Sequence, residues 1–355
     1  MRFSIFLMGD RTATYSDMAD QVCMAEALDF HGVWLGERYF ANGDLLWPSP
    51  MIAASYFAAR TARIRIGLAA RILPFHHPLH VAADAVTLDV LSNGRFDLGL
   101  SRGSMDDESH GGFQVSRDEG RQRFDEALEI VRLGCSGQAF SFTGRHFDLP
   151  WIVPSPHPVQ RPHPPFYMVA NSPSSLDHAA DHGFPVFLNG ALTLRAAADS
   201  LARYRARSAA AGFAKPTPDI LMNRFVFVGA TTAAAHNLMR GPFLEFLDKR
   251  APDLKAYLLR TAGPAGVDFD YLSREICIFG DAEHCASRLL ELRDRCRVDH
   301  VMCTFNLITL DHELCVESMQ RFAREVVPRL RRAHRPSRER VDHARSQLHR
   351  EASEA

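Results

Sequence analysis

Lysine is nearly missing from this chain of 355 residues: Lys215, Lys249 and Lys255 are the only three among 41 basic residues, which leaves 38 arginines. Charge of one sign is missing too. Asp and Glu total 42 and the formal net charge is −1, which excludes a polyanion or an anionic membrane surface as the main partner. Cysteine is sparse and odd in number, at 23, 135, 277, 285, 296, 303 and 315, with no C-x-x-C spacing. A disulfide framework and a Cys-type zinc site are therefore not expected; the thiols are expected to act as small core hydrophobes in a reducing cytoplasm. No apolar run approaches the roughly 18 residues of a membrane-spanning helix. Residues 1–10 carry one basic residue and a very short apolar stretch, which reads as a buried strand and not as a signal peptide. No G-x-G-x-x-G or P-loop pattern occurs, so a dinucleotide fingerprint and an NTPase are unsupported.

What is present suits one large buried core: 46% hydrophobic and 23% charged residues. Apolar runs at 3–8, 32–35, 64–70, 95–100, 166–170, 185–188, 220–228 and 301–305 read as strands. Helical stretches alternate with them at 16–30, 50–62, 79–91, 119–133, 174 onward, 194–211, 232–260 and 281–295, and a last helix is expected over 312–332. Ser16 is the expected cap of the first helix. Eight strand–helix units with uniformly apolar strands imply a parallel sheet buried on both faces, and eight is the number that closes a barrel. The expected fold is α/β, a single (β/α)8 TIM barrel with insertions over 1–332, followed by a charged tail at 333–355 expected to be disordered. Two stretches exceed ordinary connections: 137–164, rich in Pro, His and aromatics, and 261–280, expected to lie over the pocket as a lid.

In a barrel, the loops after the strands carry the chemistry. Those positions hold Glu37, Arg38, Tyr39 and Phe40; Arg71, His76 and His77; Ser101 and Arg102; Asn171, Ser172, Ser174 and Ser175; Asn189; and Asn306. Asn171 to Ser175 opens a helix with hydroxyls and free backbone N–H groups, an anion site with Arg102 on the neighbouring strand as a forked partner. Taken singly, Ser and Asn before a helix are ordinary caps, and only the convergence of both clusters raises the anion reading. His76-His77 lacks a partner at metal-ligand spacing, and Asp106, Asp107 and Glu108 read as a solvated loop, so no metal is expected.

The ordered motifs then resemble a known family. Gly32-Val-Trp-Leu-Gly-Glu-Arg-Tyr-Phe40, Arg65 to Pro74, His77-Pro78, Leu88 to Gly103, Met168 to Ser172 and Ser318 to Pro328 resemble the bacterial luciferase-like flavin-dependent monooxygenases, most closely the luciferase alpha subunit, over about residues 1–330. The resemblance implies a barrel that takes FMN, reduced by a separate flavin reductase. With O2 adding at flavin C4a, it would oxidise a small organic substrate, natural-product biosynthesis being the expected setting. It implies Arg102 and Arg121 on the flavin phosphate, Asn171, Ser172 and Ser175 beside them with the family's carboxylate lost, and a non-proline cis peptide at Ala69-Ala70 in the flavin wall. Ser101 stands where luciferase has a reactive cysteine. Arg38 stands where luciferase has its catalytic histidine; an arginine is no general base, so Arg38, Glu37 and His76 are the expected catalytic group and aldehyde oxidation with light emission is not expected. A homodimer is implied. The alternatives are an F420-dependent oxidoreductase and a non-catalytic partner subunit like the luciferase beta chain.

Overall fold

The computed structural model describes residues 1–8, 14–40, 47–103, 111–115, 120–170, 172–213, 219–249, 251–307 and 309–333. Asn171, Asp106 to Glu108 and the tail from 334 lie outside the described residues. The strands are β1 Arg2–Leu7, β2 Gly32–Leu35, β3 Arg65–Leu68, β4 Arg71–Ile72, β5 Phe96–Ser101, β6 Phe140–Thr143, β7 Asp148–Ile152, β8 Phe166–Val169, β9 Val186–Leu188, β10 Ile220–Val228, β11 Ile278–Gly280 and β12 His300–Thr304.

Eight of them close a parallel barrel in the order β1, β2, β3, β5, β8, β9, β10, β12 and back to β1. The expected (β/α)8 barrel is therefore the fold. The strands alternate inward and outward side chains. On β1, Phe3, Ile5 and Leu7 face the surrounding helices, while Phe6 joins Trp34, Tyr167, Phe187, Leu221 and Met302 inside the barrel. Trp34 and Tyr167 meet edge to face at 5.1 Å. Two glycines make room for this packing. A Cβ at Gly67 would lie 2.3 Å from the Trp34 ring, and one at Gly99 would lie 1.8 Å from the Leu68 carbonyl oxygen.

The N-terminal face carries a charged network. Arg65 forks onto Asp97 at 2.6 and 2.7 Å. Asp219 accepts from Arg2 at 2.7 Å and from the Tyr167 hydroxyl at 2.9 Å, and His300 sits between Asp219 and the Ser4 hydroxyl. In barrels this face serves stability.

Four expectations are corrected. The first helix starts at Tyr15 and is capped by Thr14, not Ser16: Thr14 and Asp17 exchange backbone and side-chain hydrogen bonds in a capping box. The stretch 137–164 is not all loop. It contains the antiparallel hairpin β6–β7, whose turn is held by the Glu126 carboxylate accepting the N–H groups of Arg145, His146 and Phe147. The stretch 261–280 is no lid: Phe269, Leu272 and Phe279 are buried, and β11 pairs with the last residues of β10. The expected helix over 232–260 is two, Thr232–Lys249 and Pro252–Ala262, because Pro252 forces a new start.

Candidate active site

Two clusters of polar side chains occupy the C-terminal end of the barrel. In the first, the end of β5 delivers Ser101 and Arg102, the first turn of the helix Gly120–Cys135 delivers Arg121, and the helix Pro173–Asp181 delivers Ser174, Ser175 and His178. These residues, with Phe124, Asp125, Met168 and Val169, line one cleft. Among the described residues neither Arg102 nor Arg121 has a hydrogen-bonded or ion-pair partner. Burial and then the charge of Arg121 pull the Arg102 guanidinium below its ordinary value, which Asp125 only partly offsets. Two cations held together with one carboxylate only partly offsetting them make a site that favours an anion.

The helix start adds to the same field. Ser172 and Ser175 form a capping box, with Ser175 N–H donating to Ser172 Oγ at 3.2 Å and Ser172 N–H donating to Ser175 Oγ at 3.0 Å. The small-residue N-terminus leaves the positive end of the helix open to the cleft. Ser175 lines the cleft, whereas Ser172 stands behind it as the cap.

The second cluster is built around Glu37, whose side chain is fully buried. Its carboxylate accepts from the Tyr39 hydroxyl at 2.7 Å, the Ile72 N–H at 2.6 Å and the Arg71 guanidinium, and lies 3.1 and 3.2 Å from His76 Nε2. Burial, then the Glu37 charge, push the Tyr39 phenol well above its usual range. Phe75 stacks on Phe113 at 5.0 Å, and Tyr39 meets Phe113 at 4.5 Å, so an aromatic wall backs the polar group. Arg38 is exposed beside this cluster, with its backbone N–H donating to the Trp47 carbonyl.

The clusters share a backbone link. β4 pairs Ile72 with Ser101, so the N–H that holds Glu37 and the start of the anion cleft lie on adjoining strands. The Ala69–Ala70 peptide just before β4 is cis. Ala69 packs on the barrel interior and Ala70 is buried; neither lines the anion cleft.

Ser101, Arg102, Arg121 and Ser175 thus come together, and Glu37 and His76 come together apart from them. Arg71 and Tyr39, marked in the sequence only by their position after strands, complete the second cluster, and His178 and Asp125, which nothing in the sequence singled out, complete the first. Gly99-Leu-Ser-Arg-Gly103 also has the G-x-S-x-G spacing of a serine hydrolase. Ser101, however, ends a barrel strand and accepts a bond from the Gly103 N–H, with no histidine bonded to it among the described residues, so the elbow geometry is missing. Among the described residues no three His, Cys, Asp or Glu side chains converge as metal ligands, and no helix is long and apolar enough to cross a membrane.

Comparison with known proteins agrees with this architecture. A protein of Sinorhizobium fredii, y4wF, is 31% identical over 325 residues, covering 88% of this chain and 93% of its own. The oxygenase component of a flavin-dependent trigonelline monooxygenase from Acinetobacter baylyi is 28% identical over 197 residues, 52% of each chain. Among solved structures, monooxygenase RslO1 from Streptomyces bottropensis superposes with a TM-score of 0.81 at 25% identity over 93% of this chain and 99% of its own. Two others, each 17% identical, share the fold alone. The oxygenating constituent of 3,6-diketocamphane monooxygenase from Pseudomonas putida, in complex with FMN, has a TM-score of 0.76 over 92% of this chain and 98% of its own. The coenzyme F420-dependent tetrahydromethanopterin reductase from Methanopyrus kandleri has one of 0.74 over 93% and 99%. The model of the luciferase-like monooxygenases matches residues 1–299, and with its closed barrel and polar C-terminal mouth the chain belongs to that family, a flavin-dependent group of oxidoreductases.

Proposed function

We propose that the barrel mouth binds reduced FMN, with its phosphate in the cleft of Ser101, Arg102, Arg121 and Ser175, and that the enzyme uses O2 to oxidise a small organic substrate. The observation that carries this reading is the convergence of two arginines, unpaired among the described residues, with an open helix terminus on one cleft. That donor set fits a phosphate by charge and by forked geometry. When bound, the flavin would supply the electrons that activate oxygen. A separate flavin reductase would deliver it reduced, the division of labour implied by the name "oxygenase component" of the trigonelline enzyme.

The chain's own residues do the rest. Arg102 and Arg121 hold the phosphate and so fix the reacting ring; the Ala69–Ala70 segment, at the mouth between β3 and β4, is assigned to the wall beside that ring. Glu37 orients Tyr39, Arg71 and His76 at once. With Nε2–H donating to Glu37, the other ring nitrogen of His76 is left as an acceptor that can take a proton from substrate or solvent. Exposed Arg38 is assigned to a polar or anionic oxygen of the substrate. The aromatic wall of Phe75 and Phe113 excludes water behind this group.

A homodimer, as in the family the chain resembles, is expected; size-exclusion with light scattering checks it. The function is tested by anaerobic titration with reduced FMN followed by oxygen uptake, with reduced F420 in parallel. FMN binding with oxygen consumption supports the reading. Binding of F420 without oxygen uptake, or no uptake with any reduced flavin, overturns it.

A further inference from the structure

His178 lines the anion cleft on the second turn of the helix whose first turn supplies Ser174 and Ser175. Its Nε2 is closed off from solvent and has no hydrogen-bond partner among the described residues. The nearest carboxylate, Asp125 Oδ1, stands 3.7 Å away, too far for a hydrogen bond. A buried imidazole nitrogen left unmatched, beside two arginines without partners, among the described residues is out of place in a finished protein interior. It is in place in a site completed by a ligand.

We propose that His178 is a third cationic contact to the cofactor phosphate and that binding of the phosphate is coupled to uptake of a proton on this ring. The proposal rests on the phosphate reading of the cleft. Among the described residues the charged groups around the ring are few. Arg102 follows β5, Arg121 and Asp125 lie on the helix Gly120–Cys135, and the His182 ring is 4.5 Å away on the same helix end. On the outer side, Asp177 and Asp181 are already bonded to Arg203 and Arg207 of the helix Leu194–Ala210. Without ligand, burial is the largest influence and holds the imidazole below its usual value; Asp125 opposes it, and His182, Arg102 and Arg121 reinforce it. A phosphate dianion placed among these groups reverses the sign of the local field and favours the imidazolium. The ring then gains a proton when the anion binds, so affinity rises as pH falls through the value of the bound form.

The test is FMN binding, followed by fluorescence quenching between pH 6.5 and 8.5, where the phosphate, with a second pKa of about 6, stays largely dianionic. Riboflavin, which lacks the phosphate, is titrated in parallel. The expected result is FMN binding that tightens severalfold as pH falls from 8.5 to 6.5, with riboflavin unchanged. His178→Asn is expected to remove the slope and keep the riboflavin affinity. Should the variant fail to fold, calorimetry of the wild-type protein in buffers of different ionisation enthalpy reads the same proton uptake directly, with FMN against riboflavin. FMN binding with no pH slope and no proton uptake overturns the role of His178 and leaves the cofactor reading standing. No binding of FMN at any pH, oxidised or reduced, overturns both.

Discussion

Arg102 and Arg121 repel one another across a cleft in which Asp125 offsets the charge only in part. Replacing Arg102 by Ala should therefore leave the fold intact while removing a charge-assisted contact worth about 1.5–3 kcal/mol to the phosphate. FMN affinity should fall roughly ten- to a hundredfold, and riboflavin affinity should not; fluorescence titration of both ligands checks it. Glu37 is the opposite case. Its buried carboxylate neutralises Arg71 and satisfies Tyr39 and the Ile72 N–H, so Glu37→Gln leaves a guanidinium uncompensated, at a cost of about 3–5 kcal/mol, read in the urea midpoint. His76→Ala should spare stability and FMN binding but lower oxidation of substrate roughly 100-fold, as expected for a lost proton-transfer group, measured by oxygen uptake coupled to product. The anion cleft was legible in Arg102 and Ser175, which follow a strand and open a helix, whereas Arg121 came only with the family resemblance. The second cluster was legible in its members Glu37, Tyr39, Arg71 and His76 as positions after strands, but not in their convergence on Glu37. Its assembly depends on β4 bringing Arg71 and Ile72 alongside β5, a two-residue pairing with no apolar run to announce it.

At the scale of elements, the barrel strands announce themselves because each is apolar on both faces, and Ile220–Val228 is buried along all nine residues. The hairpin β6–β7 is half exposed, with Trp151 71% exposed, and sits in a proline-rich stretch; its alternation is too short to outweigh the turn residues around it. The tight strand-to-strand fits are likewise invisible until the partners are known. At Gly99 the obstacle to a side chain is the Leu68 backbone carbonyl, and at Gly67 it is the Trp34 ring. Gly99→Ala should therefore cost more than Gly67→Ala, for which about 1–3 kcal/mol is expected, since a ring can shift and a paired strand cannot. Gly241, on an exposed helix with nothing within 4 Å of its Cβ position, should gain about 0.5–1 kcal/mol on replacement by Ala. Thermal and urea unfolding of the three variants rank them.

For the molecule as a whole, the arginines of the anion cleft stand at the C-terminal mouth beside the mutually satisfied Glu37 cluster. The N-terminal face holds the paired network of Arg2, Arg65, Asp97, Asp219 and His300. That network sets how the protein responds to acid. Burial alone would raise the Asp219 carboxyl, but the hydrogen bond and charge of His300, with Arg2 and Tyr167, hold it well below the usual carboxylate range. A carboxyl lowered by folding contributes stability above its unfolded value of about 3.9 and loses it as pH falls toward the folded one. His31 acts at milder pH. Burial, then the charges of His300 and Arg2, lower its imidazole from 6.5 to about 4. A base lowered by folding takes up its proton first in the unfolded chain, so stability is complete above about 6.5 and declines as pH falls through 6.5 toward 4. His31 is only half-buried, and solvent tempers the size of the effect. The urea midpoint should accordingly drop in two stages, a shallow one between about pH 6.5 and 4 and a steeper one below it. His31→Asn should flatten the first stage alone, and Arg2→Ala should bring the second to higher pH. A single acid transition unmoved by either substitution would show that the N-terminal network does not govern acid stability.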